Sequence, residues 1–314
     1  MTEASEVTGL EPQGEPQGVY AAALTPLKDD LSPDKAAMAR HCRWLAGNGC
    51  DGVAVLGTTG EANSLSVDER LAILEALIEA GIPGDKLIPG TGCCALTDTV
   101  RLTRQAIELG ICAVLVLPPF YYKNVSDEGL FAAYSEVIER VGDRRLRLYF
   151  YHFPQISAVP LSIELIERLL KAYPGTVAGI KDSSGDLENM TSLARGFPGF
   201  RVFAGTEKLL LPLLKAGGVG CISAGANVLS ALIGRLYGLW REKKGDAKTE
   251  GMQEEVTAKR LLLERFPMIP AMKQILARHT GKASWANVRP PLVRLAPDEA
   301  AELFATLDGA GLTL

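Results

Sequence analysis

The chain has 314 residues, of which 47% are hydrophobic and 22% are charged. This composition is typical of a globular protein with a large core, and the length exceeds that of one ordinary domain. The formal net charge is −4 and the sequence contains no basic run. Nucleic acid and anionic membrane surfaces repel an acidic protein, so the charge argues against both as partners.

The N-terminal segment, residues 1–18, is rich in Glu, Gln, Pro and Gly and has almost no apolar residues. It lacks the basic start and the apolar stretch of a signal peptide, so we expect a disordered tail on a cytoplasmic protein. The longest uncharged stretch, residues 216–234, is interrupted by several glycines. We therefore interpret it as a strand, a loop and the start of a helix, and not as a membrane span.

Cysteine and histidine spacing gives no sign of a metal site. No two cysteines form a zinc-like C-x-x-C pair, and the histidines are far apart in the sequence. We expect reduced and mostly buried cysteines, with no metal and no separate organic cofactor. The residues are Cys42, Cys50, Cys93, Cys94, Cys112, Cys221, His41, His152 and His279.

Eight short apolar runs recur along the chain, and amphipathic segments separate them. The runs are continuously apolar, as expected for parallel strands that helices cover. Ser66 and Glu69 form a capping box at the start of one helix, Val67–Ala80. The predicted strands are Tyr20–Leu24, Gly52–Leu56, Lys86–Gly90, Ala113–Leu117, Arg147–Tyr151, Val177–Lys181, Arg201–Gly205 and Gly220–Ser223.

Eight strand–helix units predict an α/β fold of the (β/α)₈ TIM-barrel type. A doubly wound sheet is the alternative, but no glycine pattern for a pyrophosphate follows the first strand. We assign the barrel to residues 19–240 and a C-terminal helical extension to residues 241–314. Predicted helices are Thr97–Leu109, Asp127–Val141, Ile163–Ala172, Lys208–Ala216, Leu229–Trp240, Thr249–Glu264, Ala271–His279 and Asp298–Leu307.

Reactive groups of such barrels lie at the C-terminal ends of the strands. Lys181 ends an apolar strand there, where burial favours a neutral amine that can attack a carbonyl. Two ordinary roles for it are a lysine that extends to solvent and one that pairs with Asp182. Tyr151, at another strand end, provides a phenol that can relay protons, although a tyrosine in such a place is, by itself, more often a core aromatic. The Gly57–Gly60 turn can present backbone N–H groups to a carboxylate, or can simply connect two elements.

Together these segments resemble the dihydrodipicolinate synthase/N-acetylneuraminate lyase superfamily of class I aldolases. The resemblance extends from about Gly18 to the C-terminus. Each motif is weak alone, but six in the right order with barrel spacing form a specific pattern. They are Ala23-Leu-Thr-Pro26, Gly57-Thr-Thr-Gly-Glu61, Tyr121-Tyr122, Tyr151-x-x-Pro154, Gly179-Ile-Lys181 and Gly217-Gly-x-Gly-x-Ile-Ser223.

The resemblance implies a role for individual residues. Lys181 matches the Schiff-base lysine and Tyr151 the proton-relay tyrosine. Thr58 and Tyr122 match the relay partners of that tyrosine, and Tyr122 corresponds to a residue that a neighbouring subunit contributes. Thr59 matches the residue that holds the keto-acid carboxylate, and Ile222 matches a backbone contact to pyruvate. Members of the superfamily are commonly tetramers built from dimers, so the resemblance implies a homotetramer.

Two positions depart from the family pattern. His152 stands where asparagine is usual, and strand alternation points it away from Tyr151, so we interpret it as structural. Ile156 stands where dihydrodipicolinate synthases carry an arginine that binds a carboxylate of the second substrate. Its uncharged side chain cannot make that contact, although Arg145, Arg147 or another cation could replace it in space.

The sequence thus predicts an enzyme that joins pyruvate and an aldehyde, or cleaves such a product, through an imine on Lys181. Within the family, the alternatives are the dihydrodipicolinate synthase reaction with aspartate semialdehyde and dehydration of a 2-oxo-3-deoxy sugar acid. Two other classes are open. One is a catalytically silent ligand-binding relative. The other is a phosphate-binding barrel enzyme, which the glycines 217, 218 and 220 suggest.

Overall fold

The structure is a computed structural model that describes residues 15–243, 245–312 and 314. Most of the predicted N-terminal tail, residues 1–14, therefore lies outside the described residues. The segment just before the first strand is held by Arg201, whose Nε donates a hydrogen bond to the Pro16 carbonyl at 2.8 Å. The first strand begins at Gly18, which was predicted as the last residue of the tail.

Seven parallel strands form one curled sheet in the described part of the chain. Their order in the sheet is β2-β1-β7-β6-β5-β4-β3, with the N-terminal strand between the second and the last. The strands are β1 Gly18–Ala22, β2 Gly52–Ala54, β3 Ala113–Val116, β4 Arg147–His152, β5 Val177–Asp182, β6 Arg201–Ala204 and β7 Gly220–Ser223.

The third predicted strand, Lys86–Gly90, is not a continuous strand. It makes isolated parallel bridges, from Leu87 to β2 and from Gly90 to β3. Ile88 N donates to the Val53 carbonyl at 3.0 Å, and the Pro89 carbonyl accepts from Leu115 N at 2.9 Å. Pro89 has no N–H to donate, so it cannot contribute a full set of ladder hydrogen bonds.

The sheet separates two cores. The large one packs the helices against the outer face of the strands and includes Val19, Ala21 and Ile180. The small one lies on the opposite face, where Tyr20, Tyr149 and other large side chains meet. This division follows from strand alternation, since neighbouring residues point to opposite faces. The members of the small core are Tyr20, Ala22, Ala54, Ile88, Ala113, Leu115, Tyr149, Phe203 and Ile222.

Helices follow the strands, as predicted. The capping box at Ser66 is present, because Ser66 Oγ accepts from Glu69 N at 3.2 Å and Glu69 Oε2 from Ser66 N at 2.9 Å. The described helices are α1 Lys35–Gly47, α2 Val67–Glu79, α3 Leu96–Glu108, α4 Asp127–Val141, α5 Pro154–Ser157, α6 Ile163–Ala172, α7 Leu187–Gly196, α8 Leu210–Lys215, α9 Ala226–Lys243, α10 Ala247–Leu263, α11 Met268–Thr280 and α12 Pro297–Gly309.

The three C-terminal helices share the large core with the strand–helix units. Leu303 and Leu307 of α12 belong to the same cluster as β-strand residues such as Val19. A polar contact also joins α10 to the segment after β6, since the buried Gln253 amide oxygen accepts from Leu211 N at 2.9 Å. Helices α10, α11 and α12 therefore pack as a continuation of one core.

The described residues bear on three further expectations. None of their helices is both long and apolar enough to cross a membrane, and residues 216–234 contain β7 and the first half of α9. Their cysteines are all free, and Cys42, Cys50 and Cys221 are buried, whereas Cys94 is exposed. No group of three or more His, Cys, Asp or Glu side chains within the described residues could hold a metal ion.

Candidate active site

Lys181 and Tyr151 lie side by side at the C-terminal ends of two neighbouring strands. They are direct partners in the register of β4 and β5. Partners in a parallel ladder point to the same face of the sheet, which brings the two side chains together. The Lys181 Nζ atom lies 4.2 Å from the centre of the Tyr151 ring.

The two ordinary roles considered for Lys181, extension to solvent and pairing with Asp182, are both wrong. Its side chain does not extend to solvent, because only 4% of Lys181 is exposed. Asp182 does not pair with it either, since the Asp182 carboxylate accepts from Ser184 N at 2.8 Å and from Asn189 Nδ2 at 2.7 Å. No carboxylate among the described residues forms a salt bridge with Lys181. A buried amine is thus left beside an aromatic ring, and this is a setting in which lysine can act as a nucleophile.

Tyr151 connects Lys181 to the loop after β2. Tyr151 is 3% exposed, and its phenol donates a hydrogen bond to Thr58 Oγ1 at 3.2 Å. The backbone N–H groups of Thr58 and Thr59 find no acceptor among the described residues. A phenol, a hydroxyl and unoccupied N–H donors therefore converge near one amine. We call Lys181, Tyr151, Thr58 and Thr59 the strand-end cluster.

The backbone of this loop is tightly constrained. Leu56 and Glu61, which flank the Gly57–Gly60 turn, both have positive φ, at 58° and 56°. Non-glycine residues adopt such values at a cost, so the surroundings must hold them there. A Cβ on Gly60 would lie 2.9 Å from the Ala23 carbonyl oxygen, and only glycine allows that approach.

Glu61 is anchored by residues from the C-terminal part of the chain. Its carboxylate pairs with Lys273 of α11, and these side chains are 1% and 0% exposed. The other carboxylate oxygen accepts from Arg289 N at 2.9 Å, while Lys273 Nζ also donates to the Asn287 carbonyl at 2.7 Å. Burial lowers the pKa of Lys273, and the nearby Glu61 opposes that shift. This buried pair fixes the end of the loop that carries Thr58 and Thr59.

The strand-end cluster opens into one cavity of about 600 Å³. All four members of the cluster line it, together with Ile156 of α5. Such a volume falls within the roughly 300–1,000 Å³ of small-molecule sites. The position of the cavity at the C-terminal ends of the strands is also where α/β barrels carry out their chemistry.

Two residues that the resemblance singled out are not among those lining the cavity. Tyr122 lies in the loop after β3 and is 72% exposed, with its ring edge-to-face against Tyr121 at 5.3 Å between centres. Ile222 is fully buried in the small core, and Ala224, just past the end of its strand, lines the cavity instead. Neither side chain contacts Lys181 within the described chain.

The two departures from the family pattern have different surroundings. His152 is buried outside the cavity, and its Nδ1 accepts a hydrogen bond from Leu161 N at 3.3 Å. Burial lowers the pKa of His152, and the charge of Asp182 opposes the shift. Ile156 lines the cavity and is 58% exposed, so an uncharged side chain does occupy the wall there.

The cations suggested as substitutes at position 156 are in the wrong place. Arg147 begins β4, so it lies at the opposite end of that strand from Tyr151, and Arg145 pairs with Asp143 at 2.8 Å. Besides Lys181, the basic residues that line the cavity are Lys208 and Arg260, and the sequence analysis missed both as site residues. A usable signal existed for Lys208, because it follows the C-terminal end of β6. Arg260 lies on a helix far along the chain, where only its i,i+4 spacing to Glu264 was visible.

Lys208 and Arg260 are both already paired with carboxylates. Lys208 Nζ lies 2.8 Å from Glu264 Oε2, and Arg260 contacts Glu264 at 3.0 Å and the buried Glu207 at 3.1 Å. Burial works against ionisation of Glu264, but Lys208 and Arg260 outweigh it and lower the pKa of that carboxyl. We call Lys208, Glu207, Arg260 and Glu264 the polar network.

The glycines that suggested a phosphate site lie at the other end of the molecule from the cavity. Residues 217, 218 and 220 precede β7 or begin it, whereas phosphate sites of barrels lie beyond the C-terminal ends of strands. A Cβ on Gly220 would clash with the backbone of Gly18 at 1.9 Å. Gly220 therefore serves close strand packing, and the phosphate-binding hypothesis is wrong.

Comparison with known proteins agrees with this geometry. The sequence model of the Dihydrodipicolinate synthetase family matches residues 15–310. An uncharacterized DapA-like lyase from Chloroflexus aurantiacus is 36% identical over 94% of this chain and 97% of its own length. The crystal structure of dihydrodipicolinate synthase from Agrobacterium tumefaciens is 34% identical, with a TM-score of 0.85 over 94% of this chain and 99% of that chain.

A second solved structure is YagE of E. coli K12, a prophage protein crystallised in complex with pyruvate. It is 26% identical, with a TM-score of 0.85 over 95% of this chain and 99% of that chain. The family match covers nearly the whole sequence, and both solved structures superpose over nearly the whole fold. The chain therefore belongs to the dihydrodipicolinate synthetase family.

Proposed function

We propose that this chain is a pyruvate-dependent class I aldolase or lyase that forms a Schiff base on Lys181. One observation carries the proposal: the buried Lys181 amine lies 4.2 Å from the Tyr151 ring centre, in the cavity that Thr58 and Thr59 share. Family membership supports pyruvate as the keto-acid substrate, since the related YagE was crystallised in complex with pyruvate. The fold we infer is a (β/α)₈ barrel in which residues 87–90 take the place of the third strand, between β2 and β3.

The first steps join pyruvate to the enzyme. The Lys181 amine attacks C2 of pyruvate, and the carbonyl oxygen takes a proton to give a carbinolamine. Loss of water from that intermediate gives the protonated imine. Tyr151 is the group that delivers and collects these protons, because its phenol is hydrogen-bonded to Thr58 Oγ1 and can return a proton through it.

The imine then makes carbon–carbon chemistry possible. Its positive nitrogen accepts electrons when C3 loses a proton, and the product is an enamine. The enamine carbon attacks the carbonyl carbon of an aldehyde, whose oxygen takes up a proton, and water finally releases the product from Lys181. The same steps in reverse cleave a 4-hydroxy-2-oxo acid, and the equilibrium constant and the reactant concentrations decide the net direction.

The remaining site residues hold the keto acid in place. We propose that Thr59, with the N–H groups of Thr58 and Thr59, binds the pyruvate carboxylate, and that the Ile222 backbone provides a further contact. Tyr122 can join the relay only from a second copy of the chain, in keeping with its 72% exposure. A homotetramer built from dimers would provide that copy, and paired exposed aromatics are common at such interfaces.

A second candidate function is 4-hydroxy-tetrahydrodipicolinate synthesis from pyruvate and aspartate semialdehyde. The observation that favours it is the relation to proteins of that name, such as the one from Listeria welshimeri at 34% identity. Ile156 counts against it, because the cavity wall there offers no guanidinium. Losing a bidentate charged contact costs roughly two orders of magnitude in specificity. Dehydration of a 2-oxo-3-deoxy sugar acid would start from the same imine.

Trapping with borohydride tests the proposal. Incubation with pyruvate and sodium borohydride should add one reduced pyruvate to the protein, and peptide mapping should locate it on Lys181. The Lys181→Ala variant should give no adduct, while Lys171→Ala, at an exposed surface lysine, should react like the wild type. An adduct at another lysine, or none at saturating pyruvate, would refute the imine mechanism and favour a silent ligand-binding protein.

A further inference from the structure

The cavity has a wall that the proposed chemistry leaves unexplained. Besides Leu209, five of its residues are large and apolar, and none of them belongs to the strand-end cluster. We call them the apolar wall: Phe153, Ile156, Met268, Ile269 and Met272. Phe153 and Ile156 follow β4, whereas the other three lie in the first two turns of α11.

The apolar wall continues directly from the reacting residues. The rings of Phe153 and Tyr151 stack at 29° with 6.0 Å between their centres. Ile156 comes three residues later and leaves 58% of its surface exposed. A large aliphatic side chain facing an open cavity gains free energy only when something apolar covers it. Methionines such as Met268 and Met272 adapt their shape to a bound group.

The polar network has no excess charge that would attract a charged substrate. Its two cations, Lys208 and Arg260, are matched by two carboxylates, Glu207 and Glu264, so its net charge is zero. Binding an anionic substrate there would require breaking a pair that already exists, which leaves a carboxylate without its partner.

We propose that the apolar wall binds an alkyl or aryl substituent of the aldehyde, so that the preferred second substrate is a hydrophobic aldehyde. The inference rests on the proposed function, because the aldehyde must reach the enamine formed on Lys181. The aldehyde carbon would meet the enamine beside Tyr151, and its substituent would lie against Phe153 and Ile156. The cavity of about 600 Å³ is large enough for such a substituent in addition to pyruvate.

The first experiment separates this inference from the proposed function. Borohydride trapping on Lys181 is measured first, and kcat/KM is then measured for pyruvate with butanal, phenylacetaldehyde, glyceraldehyde and aspartate semialdehyde. A hydrophobic contact is worth roughly 10–200-fold in kcat/KM, so butanal and phenylacetaldehyde should exceed glyceraldehyde by at least tenfold. No adduct would overturn both proposals. An adduct together with a preference for glyceraldehyde or aspartate semialdehyde would overturn only this one.

A charge at Ile156 provides the second experiment. Ile156 is largely exposed, so Ile156→Arg should fold. The guanidinium should weaken binding of the apolar substituent, because the apolar contact is lost, and should attract a carboxylate. We expect the ratio of kcat/KM for phenylacetaldehyde to that for aspartate semialdehyde to fall about a hundredfold. Val293→Arg is the matched control, because Val293 is 76% exposed and is not among the residues lining the cavity. An unchanged ratio in Ile156→Arg would contradict the inference.

Discussion

The strand-end cluster and the apolar wall meet in one cavity but are built in different ways. Lys181 and Tyr151 are register partners in adjacent strands, so the sheet itself fixes their separation. The wall combines a four-residue helix after β4 with residues of α11, more than a hundred positions later in the chain. A ladder of hydrogen bonds tolerates little change in geometry, whereas helix and loop side chains can be exchanged without disturbing it. Under the proposals above, residues of the sheet carry out the reaction and residues of the wall select the substrate.

The largest effect should come from the sheet side of this comparison. Tyr151→Phe removes the proposed proton relay and should lower kcat by ~10²–10⁴-fold. Because the relay acts on the imine, the loss should be similar for every aldehyde and should leave their ranking unchanged. Steady-state kinetics on the aldehyde panel measure both quantities.

Tyr149→Phe is the matched control for Tyr151→Phe. Tyr149 lies two residues earlier on the same strand face, is fully buried, and its hydroxyl has no hydrogen-bond partner among the described residues. Removing that hydroxyl should leave turnover near the wild-type value. Wild-type turnover in a folded Tyr151→Phe variant would make Tyr151 a core aromatic, and a changed ranking of aldehydes would break the division between sheet and wall.

The next effect concerns the residue that joins the two regions. Lys273 lies beside Met272 of the wall, and its ammonium pairs with Glu61 at the end of the Thr58–Thr59 loop. Lys273→Met leaves the Glu61 carboxylate buried without its cation, and such a loss costs about 3–5 kcal/mol of unfolding free energy. Urea denaturation followed by circular dichroism gives the value.

The exposed pair between Lys171 and Glu167 provides a control for the buried one. Its side chains are 74% and 48% exposed, so Lys171→Met should cost only about 0.3–0.5 kcal/mol. Adding Glu61→Gln to Lys273→Met should recover part of the lost stability, because it removes the unpaired charge. Equal losses of unfolding free energy for Lys273→Met and Lys171→Met would show that the buried pair stabilises the protein no more than the exposed pair does.

The smallest effect is a dependence of stability on pH that should arise away from both regions. His41 of α1 is buried against Trp285, with its Nε2 2.9 Å from Asn227 Oδ1. Burial lowers its pKa to about 4, although the hydrogen bond to Asn227 opposes the shift. The unfolded chain, with an ordinary pKa of about 6.5, binds a proton that the folded chain excludes. Stability is therefore complete above about pH 6.5 and falls by about 3 kcal/mol as the pH drops toward 4.

Comparing wild type with His41→Gln isolates this contribution. Glutamine can still donate to Asn227 but does not titrate, so its unfolding free energy should decline less between pH 7 and pH 4.5. Pyruvate trapping at pH 7 should be unaffected, since His41 is not among the residues lining the cavity. Parallel pH curves for the two proteins would exclude His41 as the titrating group.

The sequence predicted the sheet side of the molecule better than the wall. Helices α4 and α6 begin and end where the patterns predicted, because apolar periodicity and capping residues are local signals. Seven of the strands are also present, but residues 86–90 form only bridges, since Pro89 interrupts the donors. Helices α1 and α7 were not identified, although both bury residues at helical spacing, such as Met38, Cys42 and Leu45 of α1.

The site divides in the same way. The neighbours Lys181 and Tyr151 could be inferred from strand ends, because any two adjacent strands bring their ends together. The Arg260–Glu207 and Glu61–Lys273 pairs could not, because partners 53 and 212 positions apart leave no local trace in the sequence. Ile156 was recognised as unusual, but its apolar neighbours on α11 became visible only in the folded structure.

The anchoring of Glu61 has a consequence for chimeric proteins. Lys273 and Arg289 belong to the last quarter of the chain, yet they contact carboxylates in the loop before α2 and in its first turn, at Glu61 and Glu69. A recombinant that takes its last fifty residues from a relative without these cations would inherit two orphaned acids next to the Thr58–Thr59 loop. Segments 57–69 and 268–290 therefore form one unit of exchange, although about two hundred residues of sequence separate them.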